Sequence, residues 1–254
     1  MISYNKYNHS FHLYTKSTSY VFFVNERKHL QQVYYGAKIK DIVNLKDFLL
    51  QFEFELGTSV SYSEDDKGYM LNYTLLEQST YGKGDFRNPL LHIELPTGSR
   101  TTDFRYESHQ ELKDLHFDGM PQVRKQNTLE VKLIDKEANL ELYLYYTVLE
   151  DEDVIVRNSK LVNKNEEKIV IDKALSMQLD LLNKEYQLLK LDGAWIRERN
   201  ISIHNLTKGI FTMDSKQGNS SNGHNPFFLL KEQTTNEGYG NVYGMALVYS
   251  GNFE

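Results

Sequence analysis

The chain is predicted to be an all-β protein, a large antiparallel two-sheet β-sandwich with little helix. Apolar and polar residues alternate with period two in many short runs, as in strands with one face on a core. Aromatic residues make up 13% of the chain, with 18 tyrosines and only 4 prolines, a composition typical of sheets. Polar turns separate the runs at short intervals.

The clearest strand spans residues 140–148. Leu140, Leu142, Leu144 and Tyr146 lie on one face of such a strand, and that face is wholly apolar or aromatic. The opposite face mixes glutamate, tyrosine and threonine. This pattern predicts an antiparallel strand that packs one side on a core.

The runs around this strand predict a meander. Residues 128–134 alternate in the same way, so they form a hairpin with 140–148 through the polar loop 135–139. A strand over 154–162, the Asn- and Glu-rich turn 163–167 and a strand from 168 to about 179 continue it. Six further runs bring the total to ten to twelve strands: 10–14, 19–24, 30–35, 210–214, 227–231 and 242–249.

One segment, Asp41 to about Phe52, is a helix candidate. Its apolar residues recur at helical spacing and Asp41 is a suitable amino-terminal cap, although a strand remains an alternative. The next segment, 57–68, is rich in Ser, Thr, Asp and Gly and predicts a loop. No break in composition divides the chain, so we expect one domain over residues 1–254.

Composition excludes several functional classes. The net charge is −6 and no dense Lys/Arg run is present, so nucleic acid is not an expected partner. No apolar run is long enough to cross a membrane, and the amino terminus does not resemble a signal peptide. The chain has no cysteine, which fits a cytoplasmic protein and leaves no thiolate nucleophile or metal ligand.

Catalytic and metal-binding constellations are not recognisable in the sequence. There is no nucleophile elbow and no phosphate-binding glycine loop. His9 and His12 are close in sequence, but an odd spacing places them on opposite faces of a strand, so no metal site is expected. Many carboxylates are present, and spacing gives no reason to pair any two as a glycosidase couple.

Five short motifs occur in a fixed order along nearly the whole chain. They are Val33-Tyr34-Tyr35-Gly36, Tyr81-Gly82-Lys83-Gly84-Asp85-Phe86-Arg87-Asn88-Pro89, Gly193-Ala194-Trp195-Ile196-Arg197-Glu198-Arg199, the segment 218–227, and Val242-Tyr243-Gly244 with Val248-Tyr249-Ser250-Gly251-Asn252-Phe253. Together they resemble the amino-terminal region of bacterial α-galactosidases (melibiases) of glycoside hydrolase family 36.

The resemblance implies a non-catalytic β-supersandwich domain, truncated before its end, whose parent carries its catalytic aspartates in a (β/α)₈ barrel. No catalytic residue is therefore expected in residues 1–254. The parent would remove terminal α-linked galactose from melibiose- or raffinose-type oligosaccharides by a retaining mechanism. It would need no cofactor, and it would form homo-oligomers. The domain would support the barrel, the assembly and the rim of the sugar pocket.

Three residues are candidates for that rim. Aligned from Tyr35-Gly36, Glu53 lies beside the position of a family aspartate and Lys67 near that of a family arginine. Lys is not equivalent to Arg, because it lacks the rigid two-pronged donor. Trp195 is either a stacking platform for galactose or an anchor, buried in the core or against another subunit. For all three, a purely structural role is an alternative.

Two other functions stay open at this stage. The first is a free-standing carbohydrate-binding β-sandwich module, which needs no catalytic groups. The second is a structural domain that holds a barrel and builds an oligomer. The reading frame beyond residue 254 distinguishes a module from an enzyme domain, because only the enzyme continues into a barrel with a nucleophilic aspartate.

Overall fold

The computed structural model describes residues 1–40, 42, 44–49, 60–121, 123, 126–182, 184–220 and 223–254. Over this part of the chain it has fourteen strands and two short 3₁₀ turns, Leu45–Asp47 and Leu71–Tyr73. All strand pairs are antiparallel, so the predicted all-β class is confirmed. The strands form four sheets in two compact units. Unit 1 comprises residues 1–116 and 123–181, and unit 2 comprises 117–122 and 182–254.

The first sheet of unit 1 is a meander of four strands in sequence order. Its strands are β1 (Ile2–Asn5), β2 (Ser10–Tyr14), β3 (Thr18–Val24) and β4 (Leu30–Ala37). Three of them match predicted runs. The short β1 was missed because Ile2–Asn5 offers only two alternations, too few to separate a strand from a polar terminus.

The second sheet of unit 1 is also a meander. It contains β6 (Arg105–Lys113), β7 (Asn127–Asp135), β8 (Leu140–Leu149) and β9 (Val154–Asn163). The predicted hairpin is confirmed, and the pair Asp135–Leu140 extends it by one residue at the loop. The predicted inward face of β8 is also correct, since Leu140, Leu142, Leu144 and Tyr146 are all buried.

The core of unit 1 consists of apolar residues from the two four-stranded sheets. Phe11, Phe22, Val131 and Tyr146 are fully buried and belong to one continuous cluster. Phe11 and Phe22 stack at 4.9 Å between ring centroids, and Phe22 stacks on Tyr146 at the same distance. Burying each of these rings contributes about 1.5–3 kcal/mol to the stability of the unit.

The predicted continuation of the meander beyond β9 is wrong. The strand that follows, β10 (Val170–Ala174), pairs with β5 (Leu91–Glu94) and forms a separate two-stranded ribbon. Asn165 in the intervening turn donates to the carbonyl oxygen of Ala138 at 2.9 Å, so the turn is fixed to the β7–β8 loop. The chain leaves the second sheet at that point, where the sequence alone shows only an ordinary polar turn.

Unit 2 contains a single four-stranded sheet, in the order β12-β11-β13-β14. Its strands are β11 (Gln187–Ala194), β12 (Arg197–Asn205), β13 (His224–Lys231) and β14 (Val242–Ala246). The predicted strands 227–231 and 242–249 correspond to β13 and β14. The predicted strand 210–214 is wrong, because these residues have no ladder partner and Ile210 is exposed.

The helix candidate at 41–52 is described only in part. Leu45–Asp47 form one 3₁₀ turn, while 41, 43 and 50–52 lie outside the described residues. Ile42 and Leu45 are buried with Val21 in a small second cluster. Among the described residues, no helix is long and apolar enough to cross a membrane.

Candidate functional site

The three rim candidates lie in different parts of the chain. Glu53 is outside the described residues. Lys67 belongs to unit 1 and is exposed at a tight turn. Trp195 belongs to unit 2 and is 81% exposed at a hairpin tip. Lys67 and Trp195 therefore belong to different units, and each has its own surroundings.

The loop that carries Lys67 is anchored at both ends. Tyr62 donates to Asp103 Oδ2 at 2.5 Å, and the backbone nitrogen of Tyr62 donates to the carbonyl oxygen of Tyr69 at 2.9 Å. The Tyr69 hydroxyl lies 2.8 Å from His29 Nδ1, and Asn25 donates to it at 2.9 Å. Two tyrosines thus attach residues 62–69 to the rest of unit 1, while residues 64, 65, 67 and 68 between them are exposed.

Asp103 is the centre of this anchor. His29 Nε2 lies 2.9 Å from one of its carboxylate oxygens, while Tyr62 and Arg105 donate to the other. Burial alone would raise the pKa of Asp103, but the hydrogen bonds from His29, Tyr62 and Arg105 outweigh it and hold the pKa well below its ordinary value. The carboxylate is therefore ionised at neutral pH and accepts several hydrogen bonds at once.

A second ion pair fixes the tip of the loop. Arg27 Nη2 lies 2.6 Å from Asp66 Oδ2, and Asp66 Oδ1 accepts a hydrogen bond from the backbone nitrogen of Gly68 at 3.2 Å. Lys67 stands between these two positions. Asp66 and Gly68 on either side of it are held by these bonds, and Lys67 itself is exposed, which suits a donor to a sugar hydroxyl or to an acidic group.

The motif at 81–89 forms a tight turn that packs on the same loop. Gly82 and Gly84 have positive φ angles of 105° and 78°, which glycine adopts without strain. A Cβ atom on Gly84 would lie 3.0 Å from Val60, so the turn touches the beginning of the loop directly. The Lys83 amine lies 5.6 Å from the centroid of the Tyr62 ring. We call residues 60–69 and 81–88 the rim loops, after the rim candidate Lys67 that the first of them carries.

Asp85 and Arg87 of this motif have a structural role. Arg87 forms a two-pronged pair with the buried Asp85, with Nε–Oδ1 at 2.9 Å and Nη2–Oδ2 at 2.8 Å. It also donates to the carbonyl oxygens of Leu71 and Thr74. Phe86 between them is 73% exposed. The pair fixes the turn, while Phe86 and half-exposed Tyr81 present aromatic surface.

A buried ionic cluster in unit 1 is not recognisable from the sequence. Glu77 is fully buried and pairs with Arg157 at 3.1 Å. Tyr146 donates to Glu77 at 2.7 Å, and Tyr20 also donates to it. The cluster ties β3, β8 and β9 to the segment that leads into the 81–89 motif. Glu77 stands alone in an unpatterned segment, so no periodicity indicates its burial.

Of the positions that the sequence leaves open for Trp195, burial in the core of this chain is wrong, since the residue is 81% exposed. Ala194 pairs with Arg197, so Trp195 and Ile196 are the two tip residues of the β11–β12 hairpin. Residues at the tip lie beyond the last paired position and have no sheet surface of this chain to pack against. Ile196 has φ of 67°, which a β-branched residue rarely adopts, and it is exposed as well.

The fourth and fifth motifs meet in unit 2. The backbone nitrogen of Gly218 donates to Asn252 Oδ1 at 2.7 Å, and that of Ser220 donates to the carbonyl oxygen of Ser250 at 2.8 Å. Asn225 donates to the carbonyl oxygen of Leu191 at 3.4 Å. These segments hold one another in place. Within the described part of the chain no group of three or more His, Asp or Glu residues is arranged to hold a metal ion.

The sequence of this chain matches a known domain type. Residues 28–254 match the glycosyl hydrolase family 36 N-terminal domain, which is the non-catalytic part of these enzymes. The chain therefore belongs to this family, and the resemblance in the sequence is confirmed.

Relatives that match nearly the whole chain include bacterial α-galactosidases. Alpha-galactosidase AgaA of Geobacillus stearothermophilus is 34% identical over 258 residues, which cover 99% of this chain and 35% of that protein. Alpha-galactosidase Mel36A of Lactobacillus acidophilus is 33% identical, with 99% and 35% covered. The chain thus spans about a third of the length of these relatives.

Solved structures give the same result. The α-galactosidase of Lactobacillus brevis superimposes with a TM-score of 0.92 at 34% identity, covering 98% of this chain and 34% of that one. A variant of AgaA in complex with raffinose superimposes with a TM-score of 0.89 at 34% identity, covering 96% of this chain and 34% of that one.

Proposed function

We propose that this chain is the amino-terminal, non-catalytic domain of an α-galactosidase. Its parent hydrolyses terminal α-linked galactose in melibiose- or raffinose-type oligosaccharides with retention of configuration, through a covalent galactosyl intermediate. The catalytic carboxylates belong to a barrel domain of the parent, and the chemistry requires no cofactor. Residues 1–254 act as one β-sandwich domain that supports the barrel, the assembly and the rim of the sugar pocket.

The single observation that carries the proposal is the likeness over the whole chain. At 34% identity with a TM-score of 0.92, it covers 98% of this chain, so both units are included. One of the related structures, the AgaA variant, is a complex with raffinose. We transfer galactoside chemistry to the parent on this basis.

Within the domain, we assign Glu53, Lys67 and Trp195 to the rim of the sugar pocket, with an anchor against another subunit as the alternative for Trp195. Lys67 suits this role because it is exposed between Asp66 and Gly68, which are held in place. Phe86 and Tyr81 on the neighbouring turn add aromatic surface of the kind that stacks on the apolar face of a sugar ring. The lack of cysteine supports a cytoplasmic location, and we expect the parent to be a homo-oligomer.

The test is expression of the complete reading frame. The purified protein should release galactose from raffinose and melibiose, and proton NMR should detect the α-anomer first, as retention requires. Release of the β-anomer first would contradict the retaining mechanism. A reading frame that ends without a barrel would contradict the enzyme assignment and favour a free-standing carbohydrate-binding module.

A further inference from the structure

The loop 60–69 is attached to unit 1 at more points than a surface loop usually is. Loops of this kind are normally the mobile parts of a domain. Here three side chains of the loop, Tyr62, Asp66 and Tyr69, form hydrogen bonds to residues outside it. Ordering a backbone opposes folding through lost conformational entropy. Attachment at three points is expected where a residue on the loop must be held in position for binding.

The turn between β3 and β4 supplies the partners at the carboxyl end of the loop. Asn25 donates to the Tyr69 hydroxyl at 2.9 Å, and His29 Nδ1 lies 2.8 Å from the same oxygen. Arg27 donates to Asp66 Oδ2 from Nε at 3.0 Å and from Nη2 at 2.6 Å. The turn is itself fixed, because Asn25 Oδ1 accepts hydrogen bonds from the backbone nitrogens of Arg27 and His29, both at 3.0 Å.

The amino end of the loop is attached to Asp103, which is held by the second sheet. Tyr62 donates to Asp103 Oδ2 at 2.5 Å, and the backbone nitrogen of Asp103 donates to Asp135 Oδ2 at 2.6 Å. Asp135 is buried at the end of β7, and its other carboxylate oxygen accepts hydrogen bonds from the backbone nitrogens of Glu137 and Ala138. Tyr62 is thus bonded to a carboxylate whose own backbone is attached to β7.

Aromatic contacts join the two ends of the loop. The rings of Tyr62 and Tyr69 lie edge to face at 5.5 Å between centroids. His29 meets the Tyr62 ring edge-on at 5.1 Å and stacks on Tyr69 at 5.8 Å. Removing one tyrosine hydroxyl therefore keeps these ring contacts, which do not depend on it. Such a change loosens the loop and leaves its packing on unit 1 in place.

Lys67 is the residue of this loop that the attachments serve best. It is exposed between Asp66 and Gly68, and both neighbours are held. A lysine has a flexible four-carbon stem, so the backbone is the part of its position that the fold can preorganise. We propose that Tyr62 and Asp103 are positioning residues for Lys67, and that their bond holds the loop in the conformation in which the Lys67 amine reaches a galactoside hydroxyl. This inference rests on the rim role of Lys67 in the proposed function.

A positioning role affects substrate binding and leaves the chemical step unchanged. A contact at the rim of a sugar pocket is present in the ground state and in the transition state alike, so its loss raises KM and leaves kcat as it was. A loosened loop must be ordered again when the substrate binds, and the entropy lost in that step weakens binding in the same way. The split between KM and kcat therefore distinguishes positioning from general damage to the protein.

The first test compares two tyrosine variants of the complete protein with raffinose as the substrate. Tyr62→Phe removes the hydroxyl that reaches Asp103 and keeps the ring. It should raise KM at least about threefold while kcat stays within about twofold. Tyr143→Phe is the matched control and should leave KM unchanged, because the half-buried Tyr143 also donates to a carboxylate, Glu141 Oε2, at 2.8 Å. An unchanged KM in Tyr62→Phe would overturn the proposal.

The second test asks whether Tyr62 acts through Lys67. If it does, Tyr62→Phe should raise KM in the wild-type background and should cause no further rise in the Lys67→Ala background. Two residues that act through one contact are not additive, whereas independent residues are. Rises in KM that add in the double variant would contradict the positioning role, because Tyr62 would then affect binding independently of Lys67.

The third test measures the order of the loop by hydrogen exchange in the complete protein. The amides of peptides that span residues 60–69 should exchange faster in Tyr62→Phe and should be unchanged in Tyr143→Phe. Tyr69→Phe loosens the loop from its other end and should also raise both exchange and KM, so the test stands if Tyr62→Phe folds poorly. A rise in KM without faster exchange would show that the order of the loop does not determine binding.

The outcomes separate this inference from the proposed function. If Lys67→Ala raises KM and neither tyrosine variant does, Lys67 keeps its place at the rim and the positioning role is wrong. If Lys67→Ala leaves KM unchanged, both the rim role of Lys67 and the positioning role are wrong. The α-galactosidase assignment is unaffected in either case, because the galactose-release assay of the complete protein tests it separately.

Discussion

The carboxylate of Glu77 lies 3.1 Å from the guanidinium group of Arg157, and the two side chains are 0% and 9% exposed. Such a pair is expensive to break, because removing one partner leaves an uncompensated charge in the interior. Tyr20 and Tyr146 complete the cluster. It therefore links strands from the two four-stranded sheets of unit 1 to the segment that leads into the second rim loop, residues 81–88.

Arg157→Met should therefore lower the free energy of unfolding by about 3–5 kcal/mol, measured by urea denaturation. Lys132→Met is the control. It removes the Lys132–Glu141 pair, which has a similar N–O distance of 2.8 Å but is partly exposed, and should cost about 1 kcal/mol or less. Similar losses in the two variants would show that burial does not determine the importance of the Glu77 pair.

The anchor at Asp103 should make stability depend on pH. Its folded-state pKa lies below the unfolded value of about 3.9. The stabilisation is therefore fully present above about pH 4 and is lost as the pH falls through the folded-state pKa. Between pH 7 and pH 3, the free energy of unfolding should fall more for the wild type than for Asp103→Asn. Asp65→Asn, an exposed change on the loop 60–69, should show the same pH dependence as the wild type. If the stability of Asp103→Asn fell with pH as steeply as that of the wild type, Asp103 would not be the source of the pH dependence.

The contact between the rim loops can be tested with two glycines. Gly84 and Gly98 have similar φ angles of 78° and 81°, but a Cβ on Gly84 would meet Val60 at 3.0 Å and one on Gly98 would meet nothing within 4 Å. Gly98→Ala should lower the free energy of unfolding by about 1 kcal/mol through backbone strain alone. Gly84→Ala should lower the free energy of unfolding further, because its Cβ atom also meets Val60. Equal losses of stability in the two variants, measured by thermal denaturation, would mean that the 81–88 turn is not in close contact with Val60.

The sequence predicts unit 1 better than unit 2, and the reason is physical. Leu140 to Val148 alternate cleanly because one face meets a core and the other meets water. In β11 the rule fails, since Lys190 is buried, with its amine 2.6 Å from Asp192, and the apolar residues on either side face outward. The strands β11 and β12 were therefore missed, although their Trp195 motif was recognised.

Two other features were not predicted for a different reason. Periodicity predicts which segments form strands and which face of each strand is buried. It does not predict which other strand each of them pairs with. Residues 170–174 pair with β5 at a distance of about eighty residues, and nothing local indicates this partner. Burial of Glu77 likewise depends on Arg157, which is just as remote in sequence. The candidates Lys67 and Trp195 came from family motifs, and local pattern alone would have selected neither.

Lys67 should affect substrate binding without affecting the fold. In the complete protein, Lys67→Ala should raise KM for raffinose while the melting temperature stays within about 1 °C, because an exposed side chain contributes little to stability. Lys67→Arg should restore part of the loss. Lys136→Ala, another exposed lysine of unit 1, is the control and should leave KM unchanged. An unchanged KM in Lys67→Ala would remove this residue from the rim.

The assignment as a non-catalytic domain is tested most directly by comparing hydrolysis of a nitrophenyl α-galactoside by the purified 254-residue chain and by the complete protein. The complete protein should turn the substrate over. The chain alone should show no activity above the uncatalysed rate, because it supplies neither a nucleophile nor an acid/base pair. Turnover by the isolated chain that persists through purification would contradict the account.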